Sequence, residues 1–189
     1  MNKFSHLSVL ITIILGLGIA QLVMGLGRLI VLRGRIILYW PVVGWIGLLL
    51  VLHILTWWTM FFLREYTEWD FFVFLIVLLQ PMLLYFLTAL ILSTFGSGES
   101  GVNIKKNYYA NVRWFFGLFV LFLCVSLIKD LCLYGRLPGI TNLTVHVIFI
   151  ALGIAAVIIQ REWYHVLLVP TSAVLIIIYI ATLFPRLPT

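Results

Sequence analysis

The charged residues of this chain are grouped in short segments, and they leave five long stretches without any Asp, Glu, Lys or Arg. The stretches cover residues 4–27, 36–63, 71–98, 137–160 and 163–185. Because a helix rises about 1.5 Å per residue, roughly 20 apolar residues span the hydrocarbon core of a bilayer. Each stretch is therefore long enough to cross a membrane as a helix.

A sixth span ends in two charged residues, Lys129 and Asp130. Residues 114–128 are free of charge, and apolar residues resume through Tyr134 before Gly135. We therefore predict a helix that continues to about residue 133 and holds Lys129 and Asp130 at the membrane edge. The fold class is all-α, a polytopic transmembrane helical bundle with spans at 7–29, 41–63, 71–94, 113–133, 142–160 and 164–184.

The composition excludes a soluble domain and a nucleic-acid-binding role. Hydrophobic residues make up 64% of the chain and charged residues 10%, which is far from the balance of soluble domains. The net charge of +6 comes from Lys and Arg residues that flank apolar spans, without a basic run interleaved with aromatics. The predicted partner is the lipid bilayer, and a homo-oligomer is left open. Helices without long soluble appendages are typical of multi-pass proteins of the prokaryotic inner membrane.

The six spans form a single predicted transmembrane domain, residues 1–189, with a weak internal likeness. The pattern Lys/Arg-(x)5-Gly-Arg follows the first span at residues 28–35 and recurs at residues 129–136. A duplication would give two three-helix halves with opposite orientations in the membrane. The alternative is chance agreement between apolar segments. The halves would be residues 1–96 and 108–189, joined by a polar linker at 97–107.

Six polar residues inside the spans are candidates for lining a path through the bundle. Unpaired polar groups are costly in hydrocarbon, so they should face partner helices or a wet cavity. The candidates are Gln21, His53, Gln80, Tyr85, Ser172 and Tyr179. Hydrogen bonds that hold the helices together are the simpler explanation for them.

Four charged residues near the membrane edges are candidates for two ion pairs. The topology puts Arg28 and Glu162 at one face of the bundle, and Arg64 and Asp130 at the other. We predict the pairs Arg28–Glu162 and Arg64–Asp130. Exposed pairs of this kind contribute little stability, whereas partly buried ones would fix helix register or gate a path.

The sequence supports three classes of function, and no motif decides among them. No catalytic or phosphate-binding motif is present, and we predict no catalytic residue, no metal site and no cofactor. A channel or carrier for an ion or small solute needs only a polar path through the bundle, and it is the first hypothesis. A structural, regulatory or effector subunit acting through helix or lipid contacts is the second. A membrane haem protein or enzyme is the third, although the histidines offer no obvious pair of haem ligands at matching depth.

Overall fold

The computed structural model describes residues 3–32, 38–95 and 103–183. In the first of these segments, it describes the side chains of residues 7–31. All six of its long helices are apolar enough to cross a membrane. They are α1 (Lys3–Leu32), α2 (Trp40–Thr59), α3 (Phe71–Leu92), α4 (Ile104–Tyr134), α5 (Ile140–Ile158) and α6 (Glu162–Leu183). Short 3₁₀ helices follow α2 at Met60–Glu65 and α3 at Ser93–Phe95. The predicted all-α bundle of six spans is confirmed, and the chain is a multi-pass membrane protein.

Capping residues set the ends of several helices. Asp70 Oδ1 accepts a hydrogen bond from Val73 N at 2.8 Å before α3, and Asn103 Oδ1 accepts one from Lys106 N at 3.0 Å before α4. Each bond satisfies one of the backbone donors that a helix leaves unpaired at its start. Gly135 ends α4 in the left-handed conformation with φ of 63°, which glycine adopts without steric cost.

Helix α4 begins well before the predicted start at residue 113. Its buried residues Ile104, Tyr108 and Val112 recur every four positions, so an apolar stripe continues beneath the lysines of the first turns. The start predicted from charge alone therefore lies too far along the chain. The last residues of the predicted linker 97–107 are helical, and residues 96–102 lie outside the described part of the chain.

Five of the helices form a ring, and α1 lies outside it. In the ring α2 packs on α3, α3 on α4, α4 on α5, α5 on α6 and α6 on α2, whereas α1 packs on α2 and α3. Successive spans run in opposite directions. Consequently α4 and α6 both begin at one face of the bundle, which we call the Glu162 face, and α4 ends at the other, which we call the Arg136 face.

The two halves of the chain pack differently. In the first half α1, α2 and α3 each contact both of the others, whereas in the second half the main contacts are those of α5 with α4 and α6. Part of the first copy of the repeated pattern, residues 33–35, lies outside the described residues. The inverted duplication stays a prediction.

Candidate functional site

The five helices of the ring line an inner cavity of about 190 Å³. Every helix of the ring contributes lining residues, and most lie in the half of the helix nearer the Arg136 face. Phe119, Phe122 and Phe149 form much of the apolar wall. The polar lining consists of Thr56, Thr59, Gln80, Ser126, Lys129, Asp130, Tyr134, Asn142, His146 and Tyr179. Apolar walls with a few convergent polar groups are characteristic of sites for small molecules.

A second hollow of about 440 Å³, which we call the vestibule, adjoins the inner cavity at the membrane edge. Asp130, Tyr134 and Asn142 line both spaces, whereas Arg136 lines only the vestibule. The shared residues place the vestibule next to the inner cavity, on the side of the Arg136 face.

Lys129 is the cation that lines the inner cavity. Its Nζ donates to Gln80 Oε1 at 2.8 Å and lies 4.0 Å from Asp130 Oδ1, and its side chain is 13% exposed. The second distance is too long for a hydrogen bond. An ammonium group has three N–H donors. Among the described residues, Gln80 therefore occupies one donor and leaves two for a ligand or water.

Hydrogen bonds join α4, α5 and α6 at the wall of the inner cavity. His146 Nδ1 lies 2.9 Å from the carbonyl oxygen of Asn142, which can only accept, so Nδ1 carries the proton. In the neutral ring, Nε2 then accepts from Ser126 Oγ at 3.2 Å. Tyr179 donates its hydroxyl proton to Asn142 Oδ1 at 3.1 Å. This network holds the Asn142 amide by its oxygen, and no described residue accepts from its N–H donors, which leaves them for a ligand.

Aromatic side chains lie at the end of the inner cavity nearer the Glu162 face. Trp45 is 1% exposed, and its ring packs on those of Phe115, Phe116 and Phe119 at centroid distances of 5.4, 5.3 and 5.7 Å. All three contacts have the edge-to-face geometry that aromatic pairs favour. We call these four residues the aromatic layer. Because Phe119 also lines the cavity, the layer adjoins the end of the cavity nearer the Glu162 face.

His165 lies beyond the aromatic layer in a separate polar cluster. Its Nε2 lies 3.0 Å from the carbonyl oxygen of Ile159 and donates to it, so Nδ1 accepts from the Tyr108 hydroxyl at 3.0 Å. The ring of Phe116 packs against the imidazole at a centroid distance of 5.6 Å. Nδ1 therefore links α6 to α4, and Nε2 links α6 to the end of α5.

Removal of the Tyr108 hydroxyl should destabilise the protein by about 1–3 kcal/mol, because the buried Nδ1 of His165 would lose its donor. Unfolding of Tyr108→Phe in mixed detergent micelles measures this loss. Tyr134→Phe, at a half-exposed tyrosine of the same helix, is the matched control and should unfold like the unaltered protein. Equal stability of the two variants would contradict the hydrogen bond to His165.

The residues predicted to line one path lie in separate places. Gln80 and Tyr179 line the inner cavity. Gln21 Nε2 donates to the Tyr85 hydroxyl at 2.8 Å and thereby links α1 to α3, outside the ring. This pair acts as an interhelical hydrogen bond, which was the simpler explanation for both residues.

The other two path candidates are buried in helix contacts. His53 Nδ1 donates to the carbonyl oxygen of Leu49 at 2.8 Å, and its Nε2 packs against Gly18 of α1. Ser172 is buried on α6 and has no hydrogen-bond partner for its hydroxyl among the described residues. Neither residue lines the inner cavity. The six candidates therefore do not converge on a single polar interior.

The ion pair at the Glu162 face has a different cation from the predicted one. Glu162 Oε2 accepts from Lys105 Nζ at 2.6 Å, in place of Arg28. The early start of α4 explains the difference, because it brings Lys105 beside the first turn of α6. Arg28 is exposed at a groove between α1 and α3.

The predicted pair at the Arg136 face also has a different cation. Asp130 lies 4.0 Å from Lys129, its neighbour in α4, and Arg64 is exposed at the end of the 3₁₀ helix after α2. Lys129 lies in the last two turns of α4, and its long side chain carries the ammonium group to Gln80 of α3.

The three histidines whose side chains the structure describes offer no open position for a haem iron. His146 and His165 use both ring nitrogens, and Nε2 of His53 faces the backbone of α1 at Gly18. In the described ranges, no group of three or more His, Cys, Asp or Glu side chains is placed to hold a metal ion. This geometry disfavours a haem protein built on these three residues.

The chain matches no protein-family model, no curated protein and no solved structure. The proposed function therefore depends on the geometry of the inner cavity and the vestibule.

Proposed function

We propose that this chain is a carrier for a small solute, which binds in the inner cavity. The observation that supports the proposal is a polar chamber inside the ring of a single chain, with the vestibule next to it at the Arg136 face and the aromatic layer next to it toward the Glu162 face. We propose that solutes enter through the vestibule and that the aromatic layer is the barrier at the other end. A carrier exposes its binding site to one face of the membrane at a time. A channel needs a continuous path when open. The aromatic layer therefore favours a carrier that is open toward the Arg136 face.

Pro81 gives α3 a point at which it can bend. It is buried and follows Gln80, a residue of the inner cavity. Proline lacks a backbone N–H, so the carbonyl one turn earlier loses its helical partner. Weakened or broken helices near the midplane recur at the solute sites of carriers. Bending of α3 at Pro81 is the proposed movement that would change access to the cavity.

The proposed location is a prokaryotic inner membrane, with the chain as a multi-pass protein. The short connections between the described helices support this location. The inner cavity lies within one chain, so the proposed transport does not need a second copy of the chain. In a homo-oligomer, each copy would have its own cavity.

Uptake of radiolabelled solutes into proteoliposomes tests the carrier. We expect at least one of benzoate, benzamide and glycine to enter faster than into protein-free vesicles, with a rate that saturates as its concentration rises. Ser126→Trp should abolish this uptake, because the indole would occupy the inner cavity. Gly117→Trp is the matched control on α4, because Gly117 is exposed on the outside of the bundle with no neighbour within 4 Å of an added β-carbon.

Two results would contradict the carrier. One is uptake of all three solutes at the rate of protein-free vesicles. The other is full uptake by Ser126→Trp, because the cavity would then not be the route. A rate that rises linearly with concentration would favour a channel.

A further inference from the structure

The charges along the entrance indicate the class of solute, an inference that rests on the proposed carrier. Arg136 lines the vestibule, Lys129 lines the inner cavity, and Asp130 lines both. These two spaces thus have two cations and one anion among their lining residues. Among the side chains that the structure describes, the other charged residues near this face line neither space; they are Arg64, Glu65, Glu68 and Asp70.

The ammonium group of Lys129 is incompletely paired. Among the described residues, it has one hydrogen bond, to a neutral amide oxygen of Gln80, and its nearest carboxylate oxygen is 4.0 Å away on Asp130. A largely buried cation is stabilised when an anion reaches it with direct hydrogen bonds. A ligand anion in the inner cavity would supply these bonds, whereas a ligand cation would meet Lys129 with like charge.

Among the described residues, Lys129 and Asn142 line the inner cavity and keep N–H donors for a ligand. Thr56 already donates its hydroxyl proton to the carbonyl oxygen of Leu52 at 2.8 Å, and Ser126 donates to His146. These hydroxyls offer a ligand only lone pairs. The amide of Asn142 accepts through its oxygen and keeps its N–H donors. An ammonium and an amide N–H together match the two oxygens of a carboxylate.

We infer that the inner cavity binds a small organic monocarboxylate. Its carboxylate contacts Lys129 and Asn142, and its apolar body packs against Phe119, Phe122 and Phe149. The apolar wall favours an organic anion over an inorganic one, which would leave that surface uncovered. Asp130 limits the net positive charge, which favours one negative charge on the ligand over two.

Thermal unfolding of the full-length protein in detergent micelles tests the ligand class. Benzoate, benzamide and benzylammonium share a ring and differ in charge. We expect benzoate to raise the melting temperature in a concentration-dependent manner, because a ligand that binds only the folded state stabilises it. Benzamide and benzylammonium should leave the melting temperature unchanged.

Two variants connect the benzoate effect to the cavity. Lys129→Gln removes the charge and should weaken benzoate binding at least tenfold. Asn142→Asp keeps the acceptor for Tyr179 but puts a carboxylate beside the ligand, and it should weaken binding to a similar degree. Lys106→Gln is the matched control, because this exposed lysine of α4 lies at the opposite face, and it should bind benzoate like the unaltered protein.

Three results would overturn the inference. They are equal protection by benzamide or benzylammonium, protection by benzoate that survives both Lys129→Gln and Asn142→Asp, and no protection by benzoate. Failure of the proposed carrier can be distinguished from failure of the anion site. Benzoate binding without uptake of any solute would contradict carriage and leave the anion site intact, whereas saturable uptake of benzamide without benzoate binding would contradict only the anion site.

Discussion

Replacement of Trp45 with alanine is expected to open the inner cavity toward the Glu162 face and to destabilise the bundle. The indole is fully buried and contacts the three phenylalanines of the aromatic layer. Truncation of a buried tryptophan typically costs about 3–5 kcal/mol, because a void remains. Here the void would join the inner cavity, so small solutes should pass without saturation.

Uptake into proteoliposomes and unfolding in mixed micelles measure the two effects of Trp45→Ala. Trp114→Ala is the matched control, because Trp114 of α4 is 72% exposed on the outside of the bundle. This control should keep saturable uptake and lose little stability. If Trp45→Ala behaves like Trp114→Ala in both measurements, the aromatic layer is not the barrier.

Replacement of Gly18 with alanine should separate α1 from the ring. An added β-carbon at Gly18 would overlap the imidazole of His53, which is fully buried and held by its bond to Leu49. Overpacking of this kind costs about 1–3 kcal/mol. Gly16→Ala is the matched control on α1, because its added β-carbon would meet no atom within 4 Å.

A double-mutant cycle between Gly18→Ala and His53→Ala tests the cause of this loss. Removal of the imidazole makes room for the β-carbon, so the penalty of Gly18→Ala should be smaller in the His53→Ala protein. Unfolding free energies of the four proteins give the coupling. Additive effects, or equal stability of Gly16→Ala and Gly18→Ala, would contradict the close approach of α1 and α2.

The number and type of the helices follow from the charge pattern, because bilayer thickness fixes the length of a charge-free span. Helix ends follow less well. A helix tolerates charges on one face while the other stays apolar, which is why α4 begins at Ile104 and not at residue 113. Its capping residue, Asn103, is the local signal for the start.

The inner cavity has a partial signal in the sequence. Phe119, Phe122, Ser126, Lys129 and Leu133 recur at spacings of three and four, so they share one face of α4, and all five line the cavity. The charge pattern predicts that Lys129 lies at the membrane edge, because charged residues define the ends of each predicted span. The reach of its four-carbon side chain brings the ammonium group inward.

The grouping of polar residues from different helices has no local signal. Gln21 and His53 are polar and lie inside spans, as the cavity residues do. However, Gln21 joins α1 to α3, and His53 packs α2 against α1. That difference depends on α1 lying outside the ring, an arrangement that the apolar patterns of separate helices do not encode. His146 and Asn142 were missed for the same reason.

The central claim is that solutes reach the inner cavity through the vestibule, and cysteine labelling in oriented proteoliposomes tests it most directly. In a protein without Cys124 and Cys132, Ser126→Cys places a thiol in the cavity, and Gly117→Cys places one on the lipid-facing side of the same helix. We predict that a membrane-impermeant thiol reagent modifies Ser126→Cys when added at the Arg136 face and leaves Gly117→Cys unmodified. Failure to modify Ser126→Cys from that face, or its modification only from the Glu162 face, would contradict the claim.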